Sequence, residues 1–365
     1  MSHSPHHKSL LWLCIFLLGC LLSRCQTPNA PTEQLSRPTQ HRNNSFYYWQ
    51  SVWKLSDESR RYLVSQNVEH LYLKLFDVAW NPEQQQAIPM APLIVQDTVP
   101  QQWHVIPTIF ITNEAIEQTL EADVPLLAQK ISQKIQTMVQ TNAWKVAQWQ
   151  FDCDWTNRTQ TRYFSLLQHI RQNITSIDTT LRLSATIRLH QVKYVQETGI
   201  PPVERGMLMV YNTDDVQNLQ TENAILRYKT VQRYTSKLAQ YPLPLDVALP
   251  IFSWAVMFRN GGFRQIIGQI TLNDLTQQTE IFHRIGKNRF KVQKNAQWKG
   301  VYLLQNDHIR LDQSTTSEVL QTAYHIATYN RADSLTVALF HFAPDVIQQF
   351  GQDNIAAIWQ TWKTQ

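Results

Sequence analysis

Two periodicities of apolar residues alternate along most of the chain. Strand-like runs occupy residues 46–49, 70–77, 104–112, 146–154, 181–190, 206–212, 245–254 and 335–342. Between them apolar residues recur at helical spacing, as in residues 123–143, where Leu127, Ile131 and Ile135 would share one face. Further helices are predicted at residues 56–66, 163–174, 223–241 and 317–329, and a final helix is predicted to end near residue 362.

This alternation gives about eight strand–helix units, the number found in a (β/α)8 TIM barrel. The strands are apolar throughout, as expected of parallel strands that are buried on both faces. The rhythm breaks at residues 258–310, which contain a hairpin signal, Asn260-Gly261-Gly262, and several β-rich stretches. We therefore predict a barrel over residues 45–365 with a β-rich insertion after strand seven. The alternative, an open doubly wound sheet, usually carries a glycine-rich first turn that this chain lacks.

Residues 1–25 have the pattern of an export signal. A basic start precedes an apolar run over residues 10–18, which is too short to span a membrane comfortably. The run resembles a bacterial lipoprotein signal, and the small Gly19 makes Cys20 the expected lipidation site, with Cys25 as the alternative. An ordinary cleaved signal or an uncleaved anchor is the other interpretation. Residues 26–44 are polar and rich in Pro, Thr, Gln and Asn, which is typical of a flexible tether.

Composition narrows the choice of partners. The net charge of +5 is dispersed along 365 residues, so nucleic acid is not an expected partner. Of four cysteines only Cys153 lies outside the signal region, which excludes an internal disulfide after processing. No HExxH or other diagnostic metal spacing occurs, so we predict no metal and no other cofactor. We expect an exported, membrane-anchored monomer facing the periplasm or the cell surface.

The expected strand ends are rich in aromatic and charged residues. Catalytic groups of a barrel lie at the C-terminal ends of its strands. The residues expected there include Trp49, Asp77, Asp152, Asp154, Trp155, Arg188, His190, Tyr211, Asn212 and Trp254. Aromatic faces stack on sugar rings, and paired carboxylates cleave glycosidic bonds. This rim therefore predicts a site for glycans or polysaccharides.

Three segments resemble motifs of the family-18 glycoside hydrolases, the chitinase group. Residues 151–156, Phe-Asp-Cys-Asp-Trp-Thr, are similar to the family's fourth-strand motif, with Asp152 and Asp154 matching its second and third aspartates. Residues 209–212, Met-Val-Tyr-Asn, resemble the sixth-strand Met-x-Tyr-Asp, and residues 249–252, Leu-Pro-Ile-Phe, resemble the seventh-strand Leu-Pro-Phe-Tyr. The insertion also lies where many members carry an α+β domain. The resemblance implies a protein that acts on glycans, with N-acetylated sugars as the expected class.

The resemblance also assigns roles to rim residues. The family's nucleophile is the sugar's own N-acetyl oxygen, an exception to the two-carboxylate scheme, and Asp154 and Tyr211 would orient that group. The candidate catalytic residues are Asp77, Asp152, Asp154 and Tyr211. The candidate substrate-binding residues are Trp49, Trp155, Arg188, His190, Asn212 and Trp254.

Two positions depart from the fourth-strand motif. The family's general acid, a glutamate, corresponds here to Thr156, and the first aspartate corresponds to Trp149. An alcohol is too weak an acid to replace a carboxylic acid near neutral pH. General acid catalysis contributes roughly 10²–10⁴-fold to a rate, so the family's ordinary mechanism would be badly damaged.

Three functions follow from this departure. A hydrolase would take its acid from elsewhere on the rim, with Asp77 as the first candidate and Asp214 or Asp215 next. A glycan-binding protein would have lost hydrolysis. A scaffold or assembly lipoprotein would use the rim aromatics for packing only. For Asp152 a purely structural role is open as well, with the side chain pointing into the barrel and satisfied by Arg188 or a neighbouring strand.

Overall fold

The computed structural model describes residues 41–362. The first half contains β1 (His41–Tyr48), β2 (Val52–Trp53), α1 (Asp57–Ser65), β3 (Val68–Asn81), β4 (Gln86–Met90), β5 (Ile94–Val95), β6 (His104–Ile111), α2 (Asn113–Gln118), α3 (Val124–Thr141), β7 (Gln148–Asp152) and α4 (Gln160–Thr175). Next come β8 (Arg182–Arg188), α5 (Leu189–Lys193), α6 (Val195–Thr198), β9 (Arg205–Met209), α7 (Tyr228–Tyr234) and β10 (Leu245–Pro250). The remaining elements are β11 (Ser253–Arg259), β12 (Gly262–Gly268), α8 (Leu272–Thr276), β13 (Phe282–Arg284), β14 (Arg289–Val292), β15 (Ala296–Trp298), β16 (Val301–Leu303), β17 (His308–Gln313), α9 (Thr316–Tyr329), β18 (Ser334–Phe340), α10 (Pro344–Phe350) and α11 (Gln352–Gln360).

Eight of these strands close into a parallel barrel. The order is β1-β3-β6-β7-β8-β9-β10-β18, and β18 pairs with both β10 and β1, which closes the sheet. The predicted (β/α)8 TIM barrel is confirmed, and the open doubly wound sheet is wrong. Strand β4 adds to β3 as an antiparallel hairpin partner outside the ring.

The barrel strands form because their residues are apolar on both faces. All six residues of β10 are buried, for example, as expected of a strand between the barrel interior and the helices. The interior also holds polar groups that satisfy one another. The Tyr47 hydroxyl donates to Gln150 Oε1 at 2.6 Å, and the rings of Tyr47 and Tyr72 stack with centroids 4.8 Å apart.

An insertion sheet interrupts the barrel between β10 and α9. Its five antiparallel strands have the order β12-β11-β17-β14-β13, and its apolar side chains form a core of their own. The turn from β11 to β12 contains Asn260 and Gly261 at positive φ, as a tight hairpin requires. The β-rich segment was predicted at residues 258–310, whereas the sheet begins at Ser253 and ends at Gln313. The difference arises because the run over residues 245–254 contains two strands, β10 and β11, in different sheets.

Two further predictions differ from the structure. Residues 223–241 are not one helix, since only α7 and a 3₁₀ turn at Leu238–Gln240 are helical. The Asn223 side chain accepts from the Ile225 backbone N–H and donates to the Gln313 carbonyl. These contacts stabilise a loop where a helix start was predicted. The tether was predicted to extend to residue 44, but β1 already pairs with β18 from His41.

The predicted signal region and Cys20 lie outside the described residues. Within residues 41–362, no helix has the length and apolar character needed to cross a bilayer. All predicted site residues other than Cys20 lie within this range, in the barrel or in the insertion sheet.

Candidate functional site

A cavity of about 330 Å³ opens beyond the C-terminal ends of β7, β8 and β9. Its lining residues are Asp154, Arg188, Leu189, His190, Tyr211, Asn212, Thr213 and Tyr234. The cavity thus brings together five predicted site residues that come from three consecutive strand ends. Asp154 is the single carboxylate in this lining.

Asp154 and Arg188 form a two-point ion pair across the cavity. Arg188 Nε donates to one carboxylate oxygen, and Nη2 donates to the other at 3.0 Å. The Arg188 backbone N–H donates to Gln191 Oε1 at 2.7 Å, which fixes the start of α5. The carbonyl of Asp154 accepts from the Asn113 side chain at the start of α2. Both partners are therefore positioned by contacts that are independent of the pair itself.

The Arg188 guanidinium keeps its charge despite partial burial. Burial alone would lower its pKa, but the carboxylates of Asp154 and Asp152 outweigh that effect and raise the pKa above the ordinary value. The side chain of Asp154 is 51% exposed and that of Arg188 is 18% exposed. Nη1 of Arg188 is buried and has no hydrogen-bond partner among the described residues. One donor of the pair is thus unused.

Tyr211 supports the ion pair from one side of the cavity. The Arg188 Cζ atom lies 5.9 Å from the Tyr211 ring centroid, in the range of a cation–π contact. The Tyr211 hydroxyl lies 2.9 Å from Met209 Sδ, a weak acceptor that a better one could replace. Burial raises the pKa of Tyr211, so its hydroxyl stays a donor. The next residue, Asn212, has φ of 55°, a left-handed conformation that asparagine tolerates.

The other predicted catalytic carboxylates do not reach the cavity. Asp152 is buried at the end of β7 and accepts from Thr186 Oγ1 at 2.7 Å, in agreement with its structural interpretation. Burial raises the pKa of Asp152, and Arg188 partly opposes that shift. Asp77 forms an ion pair with Lys74 at 3.0 Å and is not in the lining. Asp214 accepts from Thr230 Oγ1 at 3.1 Å and is also outside the lining.

The three predicted tryptophans do not line the cavity either. Trp155 cannot stack on a sugar, because it is 2% exposed, packs on Tyr163 and donates from Nε1 to the Thr198 carbonyl at 2.8 Å. Trp49 packs against Phe340 and is partly buried. Trp254 is on the first strand of the insertion sheet, where its Nε1 donates to Asp312 Oδ2 at 3.1 Å.

Thr156 helps to begin α4. Its backbone N–H donates to Thr159 Oγ1 at 2.9 Å, and its carbonyl accepts from the Gln160 backbone at 2.8 Å. No acidic side chain takes the place of a general acid in the cavity lining. Within residues 41–362, no group of three or more His, Cys, Asp or Glu side chains could hold a metal ion.

Sequence reasoning missed Tyr234, Thr213 and Leu189. Tyr234 lies at the end of α7, which packs beside α5, and this tertiary contact brings it to the cavity. Thr213 directly follows the predicted Asn212, and Leu189 lies between Arg188 and His190. For these two, adjacency to a strand-end residue was the available signal.

Comparisons with solved structures show that chitinases share the fold of this chain. No family model and no curated protein sequence matches the chain significantly. The structure of a chitinase from Chromobacterium violaceum is similar, with a TM-score of 0.54 and 9% identity over 88% of this chain and 99% of that one. The Bacillus cereus spore cortex-lytic enzyme SleL has a TM-score of 0.51 and 11% identity over 87% of this chain and 75% of that one.

A third similar structure contains a bound sugar. It is a family-18 chitinase variant from Cycas revoluta in complex with (GlcNAc)4, with a TM-score of 0.50 and 11% identity over 87% of this chain and 99% of that one. At these identities the likeness concerns the fold. The resemblance predicted from three short motifs is confirmed at that level.

Proposed function

We propose that the cavity binds glycans that carry N-acetyl groups. The observation that carries the proposal is the convergence of Asp154, Arg188 and Tyr211 at the strand ends of a chitinase-like barrel. Two of the three match positions that orient the N-acetyl group in the family the motifs resemble. The volume of about 330 Å³ is within the range of pockets for small ligands.

Each polar atom of an acetamido group has a partner in this cavity. The amide N–H would donate to the Asp154 carboxylate, a charge-assisted contact worth roughly 1.5–3 kcal/mol. The carbonyl oxygen would accept from the Tyr211 hydroxyl, which exchanges a weak sulfur acceptor for a better one.

We propose binding without efficient hydrolysis. Asp154 is the single carboxylate of the lining, and it is paired with Arg188. Thr156 cannot deliver a proton to the leaving oxygen. The missing general acid removes roughly 10²–10⁴-fold from the rate, so bound glycan would be released largely intact.

Titration of the protein with (GlcNAc)4 tests this function. We expect saturable binding and little release of shorter oligomers, because recognition is retained and proton donation is not. Cellotetraose is the matched control, since it has the same backbone of hexoses but no N-acetyl groups, and it should bind at least tenfold more weakly given the lost charged contact. Absence of (GlcNAc)4 binding would refute the proposal, and rapid hydrolysis would refute its second part.

We also propose that the chain is an exported, monomeric lipoprotein that presents this cavity at a membrane surface. The support is the short apolar run that ends at Gly19 and Cys20. Cys20→Ser should leave the precursor unprocessed or release the protein from the membrane fraction, whereas Cys25→Ser should not. The opposite result would make Cys25 the lipidated residue. If neither change affects processing or membrane association, the proposed lipid anchor is refuted.

A further inference from the structure

Two cationic side chains, Arg188 and Lys193, lie at one edge of the cavity. Arg188 and His190 are part of the lining, and Lys193 lies one helical turn beyond His190 on α5. Lys193 Nζ is 5.2 Å from the ring centroid of Tyr194 and 5.1 Å from that of Tyr234, and Tyr234 lines the cavity. Lys193 is therefore held at the rim by two aromatic rings.

The two cations differ in how their charges are balanced. Arg188 is compensated by the carboxylates of Asp154, its ion-pair partner, and Asp152. Lys193 is absent from the ion pairs of residues 41–362. A cation–π contact leaves an ammonium group its full charge, so Lys193 can still attract an anion. The rim beside Tyr234 thus carries an ammonium group that has no ion-pair partner among the described residues.

His190 adds a neutral donor between the two cations. Partial burial lowers the pKa of its imidazole, so the ring is mainly uncharged near neutral pH and has one N–H to donate. Arg188, His190 and Lys193 follow one another along the end of β8 and α5. A ligand that lies along this edge meets two cationic groups with a neutral imidazole between them.

We propose that the preferred glycan is acidic, namely an N-acetylated sugar with a carboxylate substituent. This inference rests on the proposed function: the acetamido group occupies the Asp154–Tyr211 contact, and the carboxylate lies at the rim near Lys193. The lactyl ether of N-acetylmuramic acid has this combination of groups. Lys193 is then a specificity-determining residue that acts by charge.

A matched pair of disaccharides tests the inference. GlcNAc–MurNAc and chitobiose share the N-acetyl groups and differ in the lactyl carboxylate. At low ionic strength the acidic sugar should bind about three- to fivefold more tightly, as expected of an exposed charge pair. Raising the salt to about 1 M, where the screening length is about 3 Å, should remove the preference.

Variants at Lys193 separate charge from packing. Lys193→Gln should abolish the preference and leave chitobiose affinity within about twofold, since the exposed ion pair is the contact removed. Lys193→Arg should retain it because the charge stays. Lys237→Gln, an exposed lysine beyond the end of α7, is the matched control and should change neither affinity.

The outcomes distinguish the inference from the function on which it rests. Equal binding of both disaccharides to the wild-type protein would overturn the acidic preference and leave glycan binding intact. A preference that survives in Lys193→Gln would overturn the role of Lys193. If neither disaccharide nor (GlcNAc)4 binds, the proposed function fails and the inference fails with it.

Discussion

Two arginine–aspartate pairs of similar geometry differ in how completely their donors are used. In the cavity, Arg188 pairs with Asp154 above the ring of Tyr211. In the insertion sheet, Arg310 pairs with Asp312, and its Cζ lies 5.3 Å from the ring centroid of Phe258. The first pair is open to solvent, whereas both side chains of the second are fully buried.

The buried pair has a partner for each guanidinium nitrogen. Arg310 Nε and Nη2 donate to Asp312 at 2.7 and 2.8 Å, and Nη1 donates to the Asn218 carbonyl at 2.5 Å. Asp312 also accepts from Trp254 Nε1 at 3.1 Å. Since Asn218 belongs to the loop after β9, this pair fastens that loop, and hence one side of the cavity, to the insertion sheet.

The comparison shows which pair is available to a ligand. A buried polar network that is fully satisfied holds a structure together and has no capacity left. The Arg188 pair has a half-exposed acceptor, the Asp154 carboxylate, beside a cavity. We therefore infer that Arg310 and Asp312 stabilise the fold and that Arg188 and Asp154 bind.

The largest expected effect comes from breaking the buried pair. Arg310→Ala leaves the Asp312 carboxylate buried and uncompensated, which should lower the free energy of unfolding by about 3–5 kcal/mol. Denaturant unfolding measures this. Arg310→Met with Asp312→Leu removes both charges and should recover most of the loss. A loss below about 1 kcal/mol in the single variant would mean that the pair is not structural.

The next effect concerns the missing acid. Thr156→Glu places a carboxylic acid at the position of the family's proton donor, and hydrolysis of (GlcNAc)4 should rise at least about a hundredfold. Thr156→Gln is the matched control, because it has a similar size and no acidic proton. Equal rates in the two variants would show that the lack of an acid does not limit the reaction.

The same substitution in both pairs sharpens the comparison. Asp154→Asn replaces a charged acceptor and adds an NH₂ donor, so affinity for (GlcNAc)4 should fall about tenfold or more. Stability should change little, since this side chain is half exposed. Asp312→Asn should do the reverse and reduce stability. Calorimetric titration measures the affinity of each variant, and thermal unfolding measures its stability. The account is contradicted if Asp154→Asn unfolds the protein.

The smallest effect is the pH dependence at Asp152. Burial raises its pKa, so the native state binds this proton more tightly than the unfolded chain does. The penalty for the buried charge is absent below the unfolded pKa of about 3.9 and develops as the pH rises through the native pKa. Asp152→Asn keeps an acceptor for Thr186 and should be more stable than wild type at pH 7, with the gain vanishing near pH 4. A gain that is equal at both pH values would rule out this cause.

The barrel was predictable from the sequence because each of its strands is an apolar run. Much of the cavity was predictable because polar residues follow those runs. Asp154, Arg188 and Tyr211 were identified by their place at strand ends. Trp155 was misassigned because it lies beyond the end of β7, in the segment that leads to α4, where its ring packs on Tyr163 and Phe164 of that helix.

Other parts depended on tertiary contacts. Nothing local separates β10 from β11, since both Pro250 and Ser253 lie in one apolar run. The loop that precedes α7 contains Asn223, whose side chain donates to the carbonyl of Gln313, 90 residues away. The unused Nη1 of Arg188 follows from the packing of three strand ends, and no pattern within one segment encodes it.

A structure of the protein with (GlcNAc)4 bound tests the central claim most directly. The account predicts an acetamido group in the cavity, with its N–H within hydrogen-bond distance of the Asp154 carboxylate and its carbonyl oxygen at the Tyr211 hydroxyl. The Arg310–Asp312 pair should be unchanged. Sugar bound elsewhere on the barrel, or a cavity in which the acetamido group contacts neither residue, would contradict the claim.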